Sequence, residues 1–324
     1  MASRSGHERP GIALPSAPGD WHVDCKQEPR RFIYMHANSP VFKSLAWYGN
    51  TVRHRGSYSV LSRLRRMTRA DIDAELVVER RGTRWALNPS DFVHQDVFWH
   101  GTKDLWDVWH VERLLARQSL IVDIGSNFGY YAIHLSRALG DESRAIAFEP
   151  MPRNYERLSR NIALNGMAGR VTALQVGLSD QPGEARMAAR TGNSGSAQIG
   201  AATGDHVSVR LETLDGLWPS LAGTRAADFI KIDVEGHEPK ALAGALGVLV
   251  RDRPVVLLEV DPPRLAEAGS SPAALAAFFS ALGYRHFVSN RSKLEPVALD
   301  LAPSLVNVLC LHHERHAAEV ARWA

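Results

Sequence analysis

The chain has 324 residues and 45% hydrophobic content, enough for a substantial core in one large or two smaller domains. Its 38 basic and 35 acidic residues leave a formal charge of +3, too mild a balance to imply nucleic acid as a partner. Two cysteines, Cys25 and Cys310, make neither a disulfide framework nor a zinc ligand set, and they fit a reducing compartment.

Residues 1–30 mix Pro, Gly and Ser without the apolar stretch of a signal peptide or anchor, and the expectation is a disordered tail. No later segment supplies the roughly 18 uncharged apolar residues of a spanning helix, so the expected location is cytoplasmic, with no membrane partner. Residues 31–118 read as an N-terminal cap. It holds a basic helical stretch between Arg53 and Arg69, a hairpin in "AELVVERRGTRWALNP" turning at Gly82, and a helix in "DLWDVWHVERLLARQ". The arginines fit the solvated face of an amphipathic helix, with attraction of an anionic substrate as the alternative. Trp85, Trp99, Trp106 and Trp109 are expected to build the core of this layer.

Residues 119–324 alternate apolar runs with helical patterns, the mark of a doubly wound, largely parallel α/β sheet. Seven strands are expected at 120–125, 144–150, 171–179, 228–236, 254–260, 284–289 and 307–312. Helices are expected at 127–139, 151–165, 238–250 and 271–282, with a shorter one near 211–217. Residues 183–210 break this rhythm and read as two strands joined by a Gly/Ser loop, an insertion that with the cap would shape an acceptor site.

The stretch "SLIVDIGSNFGYYAIHL" passes from strand through a glycine turn into helix, and ligands of open α/β sheets bind beyond such strand ends. Gly125 suits a positive φ, and Gly129 suits a close approach by ligand or backbone. The G-x-x-x-G spacing fits neither the dinucleotide fingerprint nor a P-loop. Asp123 would repel a pyrophosphate there but can hold an ammonium group. Glu149, ending the second strand, can accept both hydroxyls of a ribose. Ser179 and Asp180, ending the third, are positioned for an adenine edge. An ammonium-bearing tail, a ribose and an adenine together describe S-adenosylmethionine.

The segments "VDIGSNFGYYAIHLSR", "AIAFEPMPRNYERLSRNIALNG", "VGLSDQPGE", "LDGL", "DFIKIDVEGHEPKALAGA" and "RPVVLLEV" resemble, in order and spacing, the FkbM family of S-adenosylmethionine-dependent methyltransferases. The resemblance covers about residues 85 to 312. It implies a class I methyltransferase fold, Rossmann-like, with a seven-stranded sheet, helices on both faces and an antiparallel last strand. It also implies methyl transfer, usually to a hydroxyl of a sugar, polyketide or other biosynthetic product. The expected cofactor residues are Asp123, Gly125, Ser126, Asn127, Gly129, Glu149, Ser179 and Asp180, with Asn127 matching the family's usual "GAN-x-G" form.

"KIDVEGHEPK" gathers Asp233, Glu235, His237 and Glu238 beside that turn. Strand alternation would send Asp233 and Glu235 to one face. His237 or Asp233 is the expected base and Glu235 the third catalytic candidate, although Glu235 and Glu238 equally suit the start of a helix. Lys231, in a buried strand, should pair with a carboxylate or snorkel rather than act chemically. Asp233, Glu259 and Asp261 could converge on a divalent cation, but nothing in their spacing demands it and no metal is assigned. "LHHERH" reads as a solvated C-terminal segment. The expected function is O-methylation of a small molecule; the alternatives are N-methylation of an amine or amidine, and a cofactor-binding partner protein without turnover.

Overall fold

A computed structural model describes residues 39–52, 57–68, 73–190, 193–199, 206–302 and 304–324. The expected tail, and both ends of the basic stretch at 53–56 and 69–72, lie outside the described residues. Helix α1 (Pro40–Thr51) starts where the Ser39 hydroxyl accepts the Phe42 N–H at 3.1 Å, with Pro40 in the first turn. Helix α2 (Ser57–Thr68) packs on α1, its buried Leu61 lying against Gly49. A hairpin follows, β1 (Leu76–Arg80) and β2 (Thr83–Leu87), whose two-residue turn places Arg81 and Gly82 at φ 52° and 73°. Helices α3 (Gln95–His100) and α4 (Leu105–Leu114) complete this layer.

The sheet begins with β3 (Leu120–Ile124), α5 (Tyr130–Leu139), β4 (Arg144–Phe148), α6 (Pro152–Leu164) and β5 (Val171–Leu174). A side sheet comes next, made of β6 (Gly177–Leu178), β7 (Gly183–Arg190), β8 (Asn193–Ile199) and β9 (Val207–Glu212). The chain returns through α7 (Leu214–Leu221), β10 (Phe229–Ile232), α8 (Glu238–Ala243), α9 (Leu246–Asp252), β11 (Val255–Val260), α10 (Pro262–Glu267) and α11 (Pro272–Ala281). It ends with β12 (Tyr284–Asn290), β13 (Lys293–Pro296), β14 (Val306–His312) and α12 (Ala317–Trp323).

The main sheet runs β13-β12-β14-β11-β10-β3-β4-β5. Strands β11, β10, β3, β4 and β5 are mutually parallel, and β14 is antiparallel to both neighbours. Because β3 lies between β4 and β10, strand order reverses there, and a crevice opens beyond the carboxyl ends of those strands. Alternation divides the interior into two cores: Ile121 of β3 joins the aromatic cluster with Trp85, Trp99 and Phe128, while Leu120, Val122 and Ile124 join the helices of the other face. The N-terminal hairpin is fixed to α6 by Asn161, whose Oδ1 accepts the Ala86 N–H at 2.6 Å and whose Nδ2 donates to Phe128 O at 2.8 Å.

Several expectations are corrected. All seven expected strands are present, but β13 adds an eighth by pairing antiparallel with β12. The run 171–179 breaks after Leu174, and Gly177–Leu178 pairs with β9 instead. The insertion is therefore three long strands of a four-stranded sheet, not a strand pair. The helix expected over 238–250 divides at Gly244, where an added Cβ would lie 1.9 Å from the Ser179 carbonyl oxygen. Asp215 caps the second piece, accepting the N–H groups of Gly247 and Val248 at 2.7 and 2.9 Å. Trp85 and Trp99 are core, Trp109 is half-buried and Trp106 is exposed. His312 is buried rather than solvated; its Nδ1 accepts the N–H groups of Glu314 and Arg315 and closes the turn before α12.

Candidate active site

The turn after β3 is held by neighbouring backbone. Gly125 has φ 79°, and an added Cβ would stand 1.9 Å from the carbonyl oxygen of Asp233, so the chain leaving β10 requires a glycine here. Ser126 is buried, donating its hydroxyl to Asp123 O at 2.7 Å and its N–H to Phe148 O at 3.0 Å. Asn127, at φ 51°, donates its N–H to Glu149 Oε2 at 2.8 Å. Helix α5 starts at Tyr130, three residues later than expected, with Gly129 as its N-cap at φ 90°. A Cβ on Gly129 would lie 2.5 Å from Leu158 Cδ1. Gly129 makes room for α6 and does not line the cavity.

That cavity, of about 360 Å³, lies beyond the carboxyl ends of β3, β4, β10 and β11. Asp123 and Glu149 both face it. Asp123 Oδ2 accepts the Ala132 N–H at 3.1 Å, and burial raises its carboxyl to about 6 against the pull of that N–H and of Lys231. Glu149 Oε1 accepts the Met151 N–H at 2.9 Å; burial carries this carboxyl to about 7 although two N–H groups oppose the shift. Phe148, Pro150, Val176, Leu178 and Met187 form an apolar wall next to Glu149.

Ser179 and Asp180 do not line the cavity. Ser179 is buried, donating its hydroxyl to Asp180 Oδ1 at 2.9 Å and lying 3.0 Å from His237 Nε2. Since a serine hydroxyl has one hydrogen, Ser179 Oγ accepts from Nε2–H, which leaves the lone pair of His237 on Nδ1. His237 does line the cavity, and burial, helped by Lys240, lowers its pKa against Asp180, so the ring is neutral at pH 7.

Strand β10 ends at Ile232, before the acidic cluster. Glu235 at φ 54° and Gly236 at φ 100° bend the chain, so Asp233, Val234 and Glu235 all line the cavity, and strand alternation is not what brings the two acids together. Asp233 Oδ2 lies 3.7 Å from Lys231 Nζ and 3.8 Å from Lys103 Nζ. Burial alone would raise this carboxyl, but the two ammonium groups outweigh it and hold Asp233 at about 2. Glu235, 3.3 Å from Arg264, is raised to about 7 by burial and by the charge of Asp233. Glu259 is raised well above the usual carboxylate range for the same two reasons. Oxygens of Asp233, Glu235 and Glu259 come within 4.8 Å of one another. Asp261 lines the cavity too, but its carboxylate caps α10. Glu238 is buried and accepts the N–H groups of Val234 and Gly236 at 3.1 and 3.2 Å, a role in the turn.

Sequence reasoning missed Lys103 and Ser194. Lys103 comes from the loop before α4 and lies 3.9 Å from Asp104 as well as near Asp233. Ser194, from β8, accepts from Asn127 Nδ2 at 3.2 Å and donates to Asp91 Oδ1 at 3.1 Å, while its carbonyl accepts from Asn154 Nδ2 at 3.1 Å. The insertion is thereby tied to the glycine turn. His94 lies beneath this network, lowered to about 4 by burial and neutral. Neither "GTKD" nor "TGNSGS" carries a pattern that would have marked these residues.

The family model for the methyltransferase FkbM domain matches residues 123–286. The chain belongs to that family. It is a methyltransferase, and its cofactor is S-adenosylmethionine. The methyltransferase sdnD of Sordaria araneosa is 27% identical over 202 residues, which cover 52% of this chain and 75% of that protein. The hexuronic acid methyltransferase AglP of Haloferax volcanii is 29% identical over 160 residues, 45% of this chain and 60% of that one. The crystal structure of methyltransferase FkbM from Methylobacillus flagellatus KT is 16% identical, over 83% of this chain and 58% of that one, with a TM-score of 0.41. The residues present suit the cofactor: Gly125, which has no side chain, lines the cavity with the buried carboxyl groups of Asp123 and Glu149, groups of the kind that bind an ammonium or a diol. Among the described residues no helix is long and apolar enough to cross a membrane.

Proposed function

We propose that the chain is an O-methyltransferase acting on a hydroxyl of a small biosynthetic product, a sugar or a secondary metabolite. The observation that carries this reading is the Asp180–Ser179–His237 chain of hydrogen bonds ending on a neutral imidazole at the cavity wall. When bound, the cofactor supplies an electrophilic methyl group for in-line displacement. In this reading Glu149 accepts the ribose hydroxyls and Asp123 holds the amino group. The apolar wall from Phe148 to Met187 takes the adenine, in place of the edge contacts expected from Ser179 and Asp180. His237 Nδ1 accepts the proton of the acceptor hydroxyl, its ring orientation fixed by Ser179. Asp233, ion-paired and held at about 2, is the poorer base and keeps Lys103 and Lys231 in place.

The sugar methyltransferase among the relatives supports a hydroxylated acceptor. A second reading, methylation of an amine, draws on the three carboxyl groups within 4.8 Å, which would attract a protonated nitrogen and take one proton from it, freeing the lone pair that attacks the methyl group. Mass and linkage of the product separate the two. For the base, His237→Gln should lower kcat by about 10²–10⁴ while cofactor affinity stays unchanged, and an unaltered kcat removes His237 from that role.

A further inference from the structure

The N-terminal sequence carries a charge pattern unlike the rest of the chain. Residues 29–70 contain nine Lys and Arg and no Asp or Glu, although the whole chain is nearly balanced. On the outward face of α2, Val60, Leu64 and Met67 recur at helical spacing and are 41%, 36% and 72% exposed. Arg63 and Arg66, also exposed, flank that stripe. On α1, packed against it, Trp47 is 58% exposed and Val41 45%. The inward sides of the same helices are filled by Phe42, Leu45, Ala46 and Leu61, so the outward apolar residues are not needed for the core.

From this we infer that the α1–α2 face docks on an anionic lipid surface, with Trp47, Leu64 and Met67 entering the headgroup boundary and the arginines meeting lipid phosphates. A helix that lies in the interface needs an apolar stripe beside cations, not the length of a spanning segment, so the expectation of no membrane partner drawn from spanning length does not apply to it. A nucleic acid would be met by the arginines but would leave the Val60–Leu64–Met67 stripe in water. A second copy docked face to face would bring Arg63 and Arg66 against their own counterparts. An anionic bilayer satisfies both the charge and the apolar stripe. The inference does not depend on which group is methylated.

The test is co-sedimentation of the full chain with vesicles of phosphatidylcholine alone and of phosphatidylcholine with phosphatidylglycerol at about 3:1, where each Lys or Arg near the surface is worth about a fivefold change in affinity. Binding should require the anionic lipid and weaken as salt is raised. Arg63→Gln with Arg66→Gln should lower the affinity about thirtyfold, and Trp47→Ser with Met67→Ser should lower it at least about tenfold. Both variants should keep the cofactor affinity of the parent. If the apolar pair fails to fold, the arginine pair and the salt dependence decide. Equal binding to neutral vesicles, no binding to either, or binding to a polynucleotide but not to vesicles overturns the inference. So does a dimer that the Trp47 and Met67 changes convert to monomer without vesicle binding.

Discussion

Gly125 and Asp233 meet where the first and fourth parallel strands end: a Cβ at Gly125 would fall 1.9 Å from the Asp233 carbonyl oxygen. The glycine turn and the acidic turn, which both line the cavity, are therefore packed backbone to backbone. Gly125→Ala must displace one turn from the other and also hold alanine at φ 79°. The expected cost is about 2–4 kcal/mol of stability, read by urea unfolding, with cofactor affinity by calorimetry falling at least about tenfold. A variant with parental affinity would mean that the two turns move independently.

Glu149 and Glu235 are both lifted to about 7 by burial, so each binds more protons in the folded state than unfolded between its ordinary value near 4.5 and about 7. The sign follows: as pH rises through that window the cofactor-free protein loses stability. His94, His110, His237, His286, His312 and His316, all lowered by burial, act in the opposite sense until pH has passed the ordinary imidazole value near 6.5. Above about pH 7, where unfolded imidazoles have lost most of their protons and Glu259 is raised as well, the carboxylates decide, and the cofactor-free melting temperature should fall between about pH 7 and pH 8. From about pH 6 to pH 8 cofactor affinity should rise as Glu149 ionises, by about tenfold. Glu149→Gln should remove most of that rise, and a flat wild-type affinity would count against Glu149 as a ligand.

Lys231 is almost fully buried beside Asp233, with Asn307 Oδ1 at 3.5 Å. Lys231→Met leaves the Asp233 charge with Lys103 as its remaining ion-pair partner, and should cost about 3 kcal/mol in urea unfolding. Adding Asp233→Asn should recover part of that loss. If the double variant is no more stable than the single, the pair is not what holds these side chains in place.

The seven main strands were readable because a sheet buried on both faces writes continuous apolar runs such as Leu120–Val122 and Val255–Leu258. Gly125, Asp123 and Glu149 were readable because strand ends and glycine turns have local signatures. Contacts made at long range were not. The role of Gly129 is set by Leu158, the break at Gly244 by Ser179, and the place of Ser179 by His237; each partner lies more than two dozen residues away. The expected alternation of Asp233 and Glu235 failed because Glu235 takes a positive φ, a conformation that no side-chain pattern announces. Lys103 and Ser194 reach the site from the N-terminal layer and the side sheet, whose sequences resemble ordinary loops.

The most direct measurement is a crystal structure of the protein grown with S-adenosylhomocysteine. Density is expected over the Gly125 turn, with both ribose hydroxyls on the Glu149 carboxylate, the amino group at Asp123 and the adenine against Phe148 and Leu178. Density for the nucleoside elsewhere on the chain, or a complex in which neither carboxylate touches it, would contradict that account.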